Sequence, residues 1–85
     1  MLGVKSLLTE MVKSIVDDEA SVLVIQTESE KGTLLEVRVG KADVGKVIGK
    51  QGRIAAALRT VTKAAAAKKG LHIMVNVFNK PSEEE

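Results

Sequence analysis

The chain has 85 residues, 45% hydrophobic and 28% charged, with no cysteine. That is enough for one small core-held domain, and it excludes a disulfide framework or a thiolate metal site. No apolar run approaches the roughly 20 residues of a membrane span, and the opening MLGVKSLLTEM has no signal-peptide core, so the expected setting is the reducing cytoplasm with no membrane partner.

From residue 2 to 16, Val4, Leu7, Leu8, Met11, Val12 and Ile15 recur at three- and four-residue spacing, which predicts an amphipathic helix ending near the acidic DDEA. SVLVIQT, 21–27, is β-branched and short, hence a strand; after ESEKG, the alternation in TLLEVRV, 33–39, predicts a second strand and a hairpin. Gly40 breaks that pattern, and KADVGKVI, 41–48, offers one or two turns of helix before Gly49. A longer helix follows the turn. Its expected inner face is Ile54, Ala57, Leu58, Val61 and Ala65, with Arg59 and Lys63 on the far side, and Gly70 stops it. LHIMVNVF, 71–78, alternates again and is read as the third strand. The expected organisation is a single domain over 1–80 and a polar acidic tail over 81–85. Three strands covered by helices on one face give a two-layer α+β fold in the order α-β-β-α-α-β.

The net charge of +2 conceals an asymmetry. Residues 41–69 hold eight lysines and arginines against Asp43 alone, a balance of 8 − 1 = +7, and the rest of the chain holds five basic and ten acidic side chains, or −5. Such a cationic segment either solubilises a helix or attracts a polyanion.

Catalysis has little to work with. The one histidine, His72, is expected inside a strand and is read as structural; Asp17, Asp18 and Glu19 are read as a solvated loop, and no cluster has metal-ligand spacing. The nucleotide motifs fail as well. Gly45 to Gly49 leaves three residues where a Walker loop needs four, Gln51 replaces its hydroxyl, and no glycine has another two places on, as a dinucleotide fingerprint requires. A non-enzyme without cofactor or metal is therefore expected, with a nucleotide-dependent enzyme the third choice.

What remains is KVIGKQGR, Lys46 to Arg53. Gly49 and Gly52 permit a tight turn and a close approach of a sugar-phosphate to the main chain, and the amides that open the next helix lie at the positive end of its dipole. Lys46, Lys50 and Arg53 add charge suited to backbone contacts but not to base readout. Alone, such a turn is equally a plain bend between helices.

The pair Val47-Ile48 followed by Gly49, Lys50, Gln51, Gly52 and a helix resembles the signature of a K-homology (KH) domain, and the extra helix and strand ahead of the β-α-α-β core resemble the type II arrangement. The chain is similar over nearly its whole length to the small bacterial single-KH proteins of the KhpA type. The resemblance implies binding of single-stranded RNA by a G-x-x-G clamp on about four nucleotides, with bases in an apolar groove beside it. Carried onto this sequence, Gly49, Lys50, Gln51 and Gly52 form the clamp, and Val44, Val47 and Ile48 are candidates for the groove floor or equally for the core; Lys46 and Arg53 are expected to assist by their charge, and Arg59 and Lys63 to join them if RNA tracks along the long helix. It also implies an RNA-chaperone or post-transcriptional role, a link to cell shape, and a homodimer or a heterodimer with a larger KhpB/Jag-type KH protein. The alternative is an interaction module that keeps KH geometry while its working surface is a dimer face, since small domains often need such reinforcement. One departure concerns the long helix. Many KH domains place a large aliphatic residue three positions after the second glycine, where this chain has Ala55, with Ile54 one earlier. With Phe78 the only aromatic residue, stacking contributes little and affinity is expected to be electrostatic and modest.

Overall fold

The computed structural model describes residues 3–79 and, at 78 and 79, the backbone alone. The expectations for Leu2, the Phe78 side chain and the tail over 81–85 fall outside the described residues. The order is α1 (Val4–Lys13), β1 (Leu23–Ser29), β2 (Gly32–Val39), α2 (Val44–Ile48), α3 (Arg53–Lys68) and β3 (Ile73–Asn79), with single 3₁₀ turns at Glu19–Ser21, Lys41–Asp43 and Lys50–Gly52.

β1 and β2 form an antiparallel hairpin in which Leu23 pairs with Arg38 and Ser29 with Gly32. β3 joins the other side of β2 in parallel, Thr33 opposite Ile73 and Val39 opposite Asn79, so the sheet order is β1-β2-β3. A parallel neighbour cannot be reached by a tight turn; the chain must cross over the sheet. Here α2, the GKQG turn and α3 are that crossover, which puts the turn in the helical layer beside β3, an edge strand.

The core follows from two periodicities meeting. Val4, Leu8 and Val12 form the buried stripe of α1, with Leu7, Met11 and Ile15 half-buried as the three-four spacing requires. Against them lie Val24, Leu35, Val37, Val39, Ile73 and Val75, the alternate residues of one sheet face. Removing any of these side chains from water is worth about 1.5–3 kcal/mol.

Two expectations are corrected. β3 begins at Ile73, not 71: Leu71 is half exposed, and His72 precedes the strand, its carbonyl accepting the Thr33 N–H at 2.9 Å. The inner face of α3 is Ala55, Leu58, Thr62 and Ala66, while Ile54 and Val61 are 37% and 47% exposed. Of the expected face only Leu58 is buried, and the helix is turned by one residue, about 100°. Hydrophobicity would favour Ile54 and Val61 inside, but small side chains at 55 and 66 let the helix lie close on the sheet. Thr62 tolerates full burial because its hydroxyl donates to the Leu58 carbonyl at 2.6 Å.

Candidate nucleic-acid interface

α2 closes with the Gly49 N–H on the Gly45 carbonyl at 2.8 Å, and Gly49 then takes φ 77°, ψ 174°, a conformation essentially confined to glycine. Lys50 and Gln51 form a single turn closed by the Gly52 N–H on the Gly49 carbonyl at 3.1 Å. Gln51 at φ 56° and Gly52 at φ 74° are both left-handed, and α3 starts at once with no side chain capping it. Its first amides are thereby left for solvent or a ligand.

The two glycines of the turn are not equivalent. A Cβ on Gly49 would lie 2.6 Å from Ile54 Cγ1 and 2.9 Å from the Ile54 amide nitrogen, so this glycine is needed for the chain to pack on itself. A Cβ on Gly52 would meet nothing within 4 Å among the described residues. Of the two glycines expected to give a sugar-phosphate access, Gly52 is the one with open space beside it.

The basic residues divide in the same way. Lys50, Gln51 and Arg53 are exposed at the turn, where the Arg53 Nη2 reaches Gln51 Oε1 only at 3.5 Å, too long to hold either side chain. Lys46 is engaged elsewhere: its Nζ pairs with Asp17 and lies 3.5 Å from Asp43 Oδ1. Asp43, 3% exposed, accepts the Asp18 N–H at 3.1 Å and the Asp17 N–H at 3.3 Å. The Asp18 N–H above all, then the Asp17 N–H and Lys46, hold its carboxyl below the usual value despite burial. The hydrogen bond to Asp17, with the charge of Asp17 and Asp43 behind it, pushes the Lys46 ammonium up. This cluster ties the loop after α1 to α2 and occupies Lys46, one of the cations expected to assist at the turn.

Beside the turn, an open groove of about 450 Å³ runs between the start of α3 and β3, lined by Ile48, Gly52, Ala55, Arg59, Asn76 and Val77. Of the three expected floor residues only Ile48 reaches it; Val47 is fully buried and Val44 packs against the core. Ala55, Asn76 and Val77 were not foreseen. The sequence signal available for Ala55 was its smallness where a large aliphatic residue is usual. Arg59, turned inward by the one-residue rotation, is half-buried, and its Nε–H donates to the Val75 carbonyl on the outer edge of β3 at 3.0 Å. That bond fixes the guanidinium plane at the groove wall and leaves its other N–H groups to face a ligand. Among the described residues the lining carries no carboxylate, one anchored cation and several apolar surfaces, chemistry suited to a flat, uncharged ring. Among the described residues no group of three His, Cys, Asp or Glu side chains is placed to hold a metal, and no helix is long and apolar enough to cross a membrane.

The chain is 47% identical over 74 residues to the RNA-binding protein KhpA of Clostridium acetobutylicum, covering 87% of this chain and 99% of that one. It is 42% identical over 78 residues to the RNA-binding protein KhpA of Aquifex aeolicus, covering 92% and 99%, and 36% identical over 75 residues to that of Bacillus subtilis, covering 88% and 93%. Among solved structures, an Aquifex aeolicus Era variant bound to GDP and aluminium fluoride superposes with a TM-score of 0.68 over 95% of this chain and 31% of that one; at 14% identity the likeness is one of fold. Residues 5–77, which include the turn, the groove and all of the sheet but the last two residues of β3, match the KH domain of KhpA and KhpB, and the chain belongs to that family.

Proposed function

We propose that this protein is a cytoplasmic RNA-binding module, a chaperone or post-transcriptional regulator, that grips single-stranded RNA at the GKQG turn with little sequence preference. The observation that carries this reading is the open side of the turn: Gly52 with no described residue within 4 Å of its missing side chain, Lys50 and Arg53 exposed around it, and a groove alongside whose described lining has no acid. The names of the curated relatives support it. The phosphates sit on Lys50 and the backbone of the turn, Arg53 and Arg59 flank them, and bases lie against Ile48, Ala55 and Val77. Among the described residues the groove has no aromatic lining, so what they offer a base is apolar contact rather than stacking.

Replacing both Lys50 and Gln51 by Asp tests the clamp. Asp tolerates the left-handed conformation at 51, so the fold is kept while two negative charges face the phosphates. Fluorescence anisotropy with a labelled single-stranded RNA at fixed salt should show binding lost. Retention unchanged from the parent would refute the assignment.

A second reading concerns partners. Ile54 and Val61, left outside by the rotation of α3, make an exposed apolar flank with Ala57, which suits a second KH domain of the KhpA/KhpB kind. Light scattering with and without RNA separates the readings: a stable dimer indifferent to RNA, together with failed anisotropy, favours an interaction module, and a dimer that still binds RNA joins the two.

A further inference from the structure

The groove at the turn is not the end of the cationic surface. Past Arg59, α3 continues along β3, and a second hollow of about 200 Å³ opens between them, lined by Lys63, Ala67, Leu71, His72 and Ile73. Arg59, Lys63 and Ala67 are spaced four residues apart and share the flank of α3 that faces the strand edge. The first hollow holds Asn76 and Val77 of β3, the second Ile73 at the start of that strand, and the Arg59–Val75 hydrogen bond lies between them. The two hollows therefore lie in line on one face, bridged by an arginine. Among the described residues neither lining contains a carboxylate, in contrast to the hollow at the start of α1, where Glu28 contributes.

We infer that a bound single strand of RNA continues from the G-x-x-G groove over Arg59 into the Lys63 hollow, so that the protein holds a longer strand than the turn alone can clamp. The occupant follows from charge and shape: a track with cations on two successive turns of the helix, Arg59 and Lys63, and no acid among its described residues fits a polyanion with apolar bases. Length fits too. From Gly52 to Ala67 α3 rises by about 22 Å, the span of roughly six stacked nucleotides at about 3.4 Å each, against about four for a G-x-x-G clamp. Lys63 supplies the second phosphate contact. Leu71, half exposed ahead of β3, gives the last base an apolar surface.

The inference rests on the RNA-binding reading, and its test separates the two. Anisotropy titrations compare a tetranucleotide with an octanucleotide of the same base, each at several salt concentrations. An octamer offers a four-nucleotide site about five registers, so statistics alone give about fivefold; the extended track should give about twentyfold or more, and a steeper salt dependence. Lys63→Glu should reduce the octamer to the statistical gain and leave the tetramer within about twofold, since Lys63 lies about 16 Å along α3 from Gly52, two Debye lengths at physiological salt. Lys63→Gln, which keeps helix propensity and removes only the charge, should lower the octamer salt slope by about 0.7. A parent octamer gain of fivefold or less, or equal losses for both lengths in Lys63→Glu, overturns the extension while the clamp stands. If the parent binds neither length, the proposed function falls with it.

Discussion

The two sides of the GKQG turn carry the same kinds of residue and serve different ends. On the α2 side, Lys46 is committed to Asp17 and Asp43, Val47 is in the core, and the space beside Gly49 is filled by Ile54. On the α3 side, Lys50 and Arg53 are exposed, no described residue fills the space beside Gly52, and Arg59 is presented by the strand edge. A signature of two glycines and several lysines is thus half a folding instruction and half an open surface, the half proposed to bind. The first half positions the second: the α2 cluster and the Gly49–Ile54 contact fix where α3 starts, and the start of α3 decides which of its residues face the groove.

Substituting the glycines should break this symmetry most visibly. Gly49→Ala must abandon a glycine-only conformation and push against Ile54, including its backbone amide, which should cost roughly 3 kcal/mol or more. In a domain of this size that lowers Tm by more than about 12 °C in a circular-dichroism melt. Gly52→Ala is strained only by its left-handed backbone, about 1–2 kcal/mol, but its methyl projects where the sugar-phosphate should lie, so anisotropy should show an RNA affinity at least about tenfold weaker. Equal stability losses in the two variants would mean that both glycines are structural.

The lysines give the next contrast. Lys50→Ala should weaken RNA binding and reduce the slope of log affinity against log salt by about 0.7, the value for one phosphate on a single strand. Lys46→Ala should leave that slope unchanged and lower Tm instead, because it removes the partner of Asp17 and Asp43. A reduced slope in Lys46→Ala would show that RNA competes for this side chain and draws it out of the cluster.

These contrasts also explain what could be read in advance. The α+β class, the element order, the turn and the stripe of α1 were legible because each rests on local pattern, and α1 has one apolar face long enough to be unambiguous. The face of α3 was not. Its alanines make several stripes almost equally apolar, so Ile54 and Val61 dominate any count, and the true face is set by close approach to the sheet and by the Gly49–Ile54 contact. The groove residues Asn76 and Val77 were hidden for a related reason: a parallel edge strand meets the turn only through the crossover, a pairing of residues far apart in sequence. Nor does spacing reveal that Lys46 has two acids within reach, one of them 29 residues away.

Acid should dissolve the α2 side before the α3 side. The Asp43 carboxyl is held below its ordinary value of 3.8, so its contribution to stability is complete above that value and is lost as pH falls through the lower, folded-state value. The partner ammonium is raised above 10.5, and its contribution persists until pH climbs past that point. Thermal melts should therefore show a Tm that is level with respect to this pair from pH 5 to 9 and that falls below pH 4. Asp43→Asn should start from a lower Tm and lose less of it on acidification. A variant whose acid limb matches the parent's would place the sensitive carboxylate elsewhere.

The smallest expected effect is the one that most sharpens the picture of α3. Leu58→Ala, on the buried face, should cost about 2–5 kcal/mol. Val61→Ala, three residues on, loses a side chain that is already 47% exposed and gains the better helix former, so the two effects nearly cancel and the change should stay within about 0.5 kcal/mol in a urea melt. That near-neutrality holds only for a lone subunit. If a second KH domain covers the Ile54–Val61 flank, Val61 becomes a core residue of the assembly, and Val61→Ala should then cost more as protein concentration rises, because unfolding is coupled to dissociation. A concentration-independent loss of 2 kcal/mol or more would instead return Val61 to the interior of the single domain and undo the one-residue rotation on which the placement of Arg59 depends.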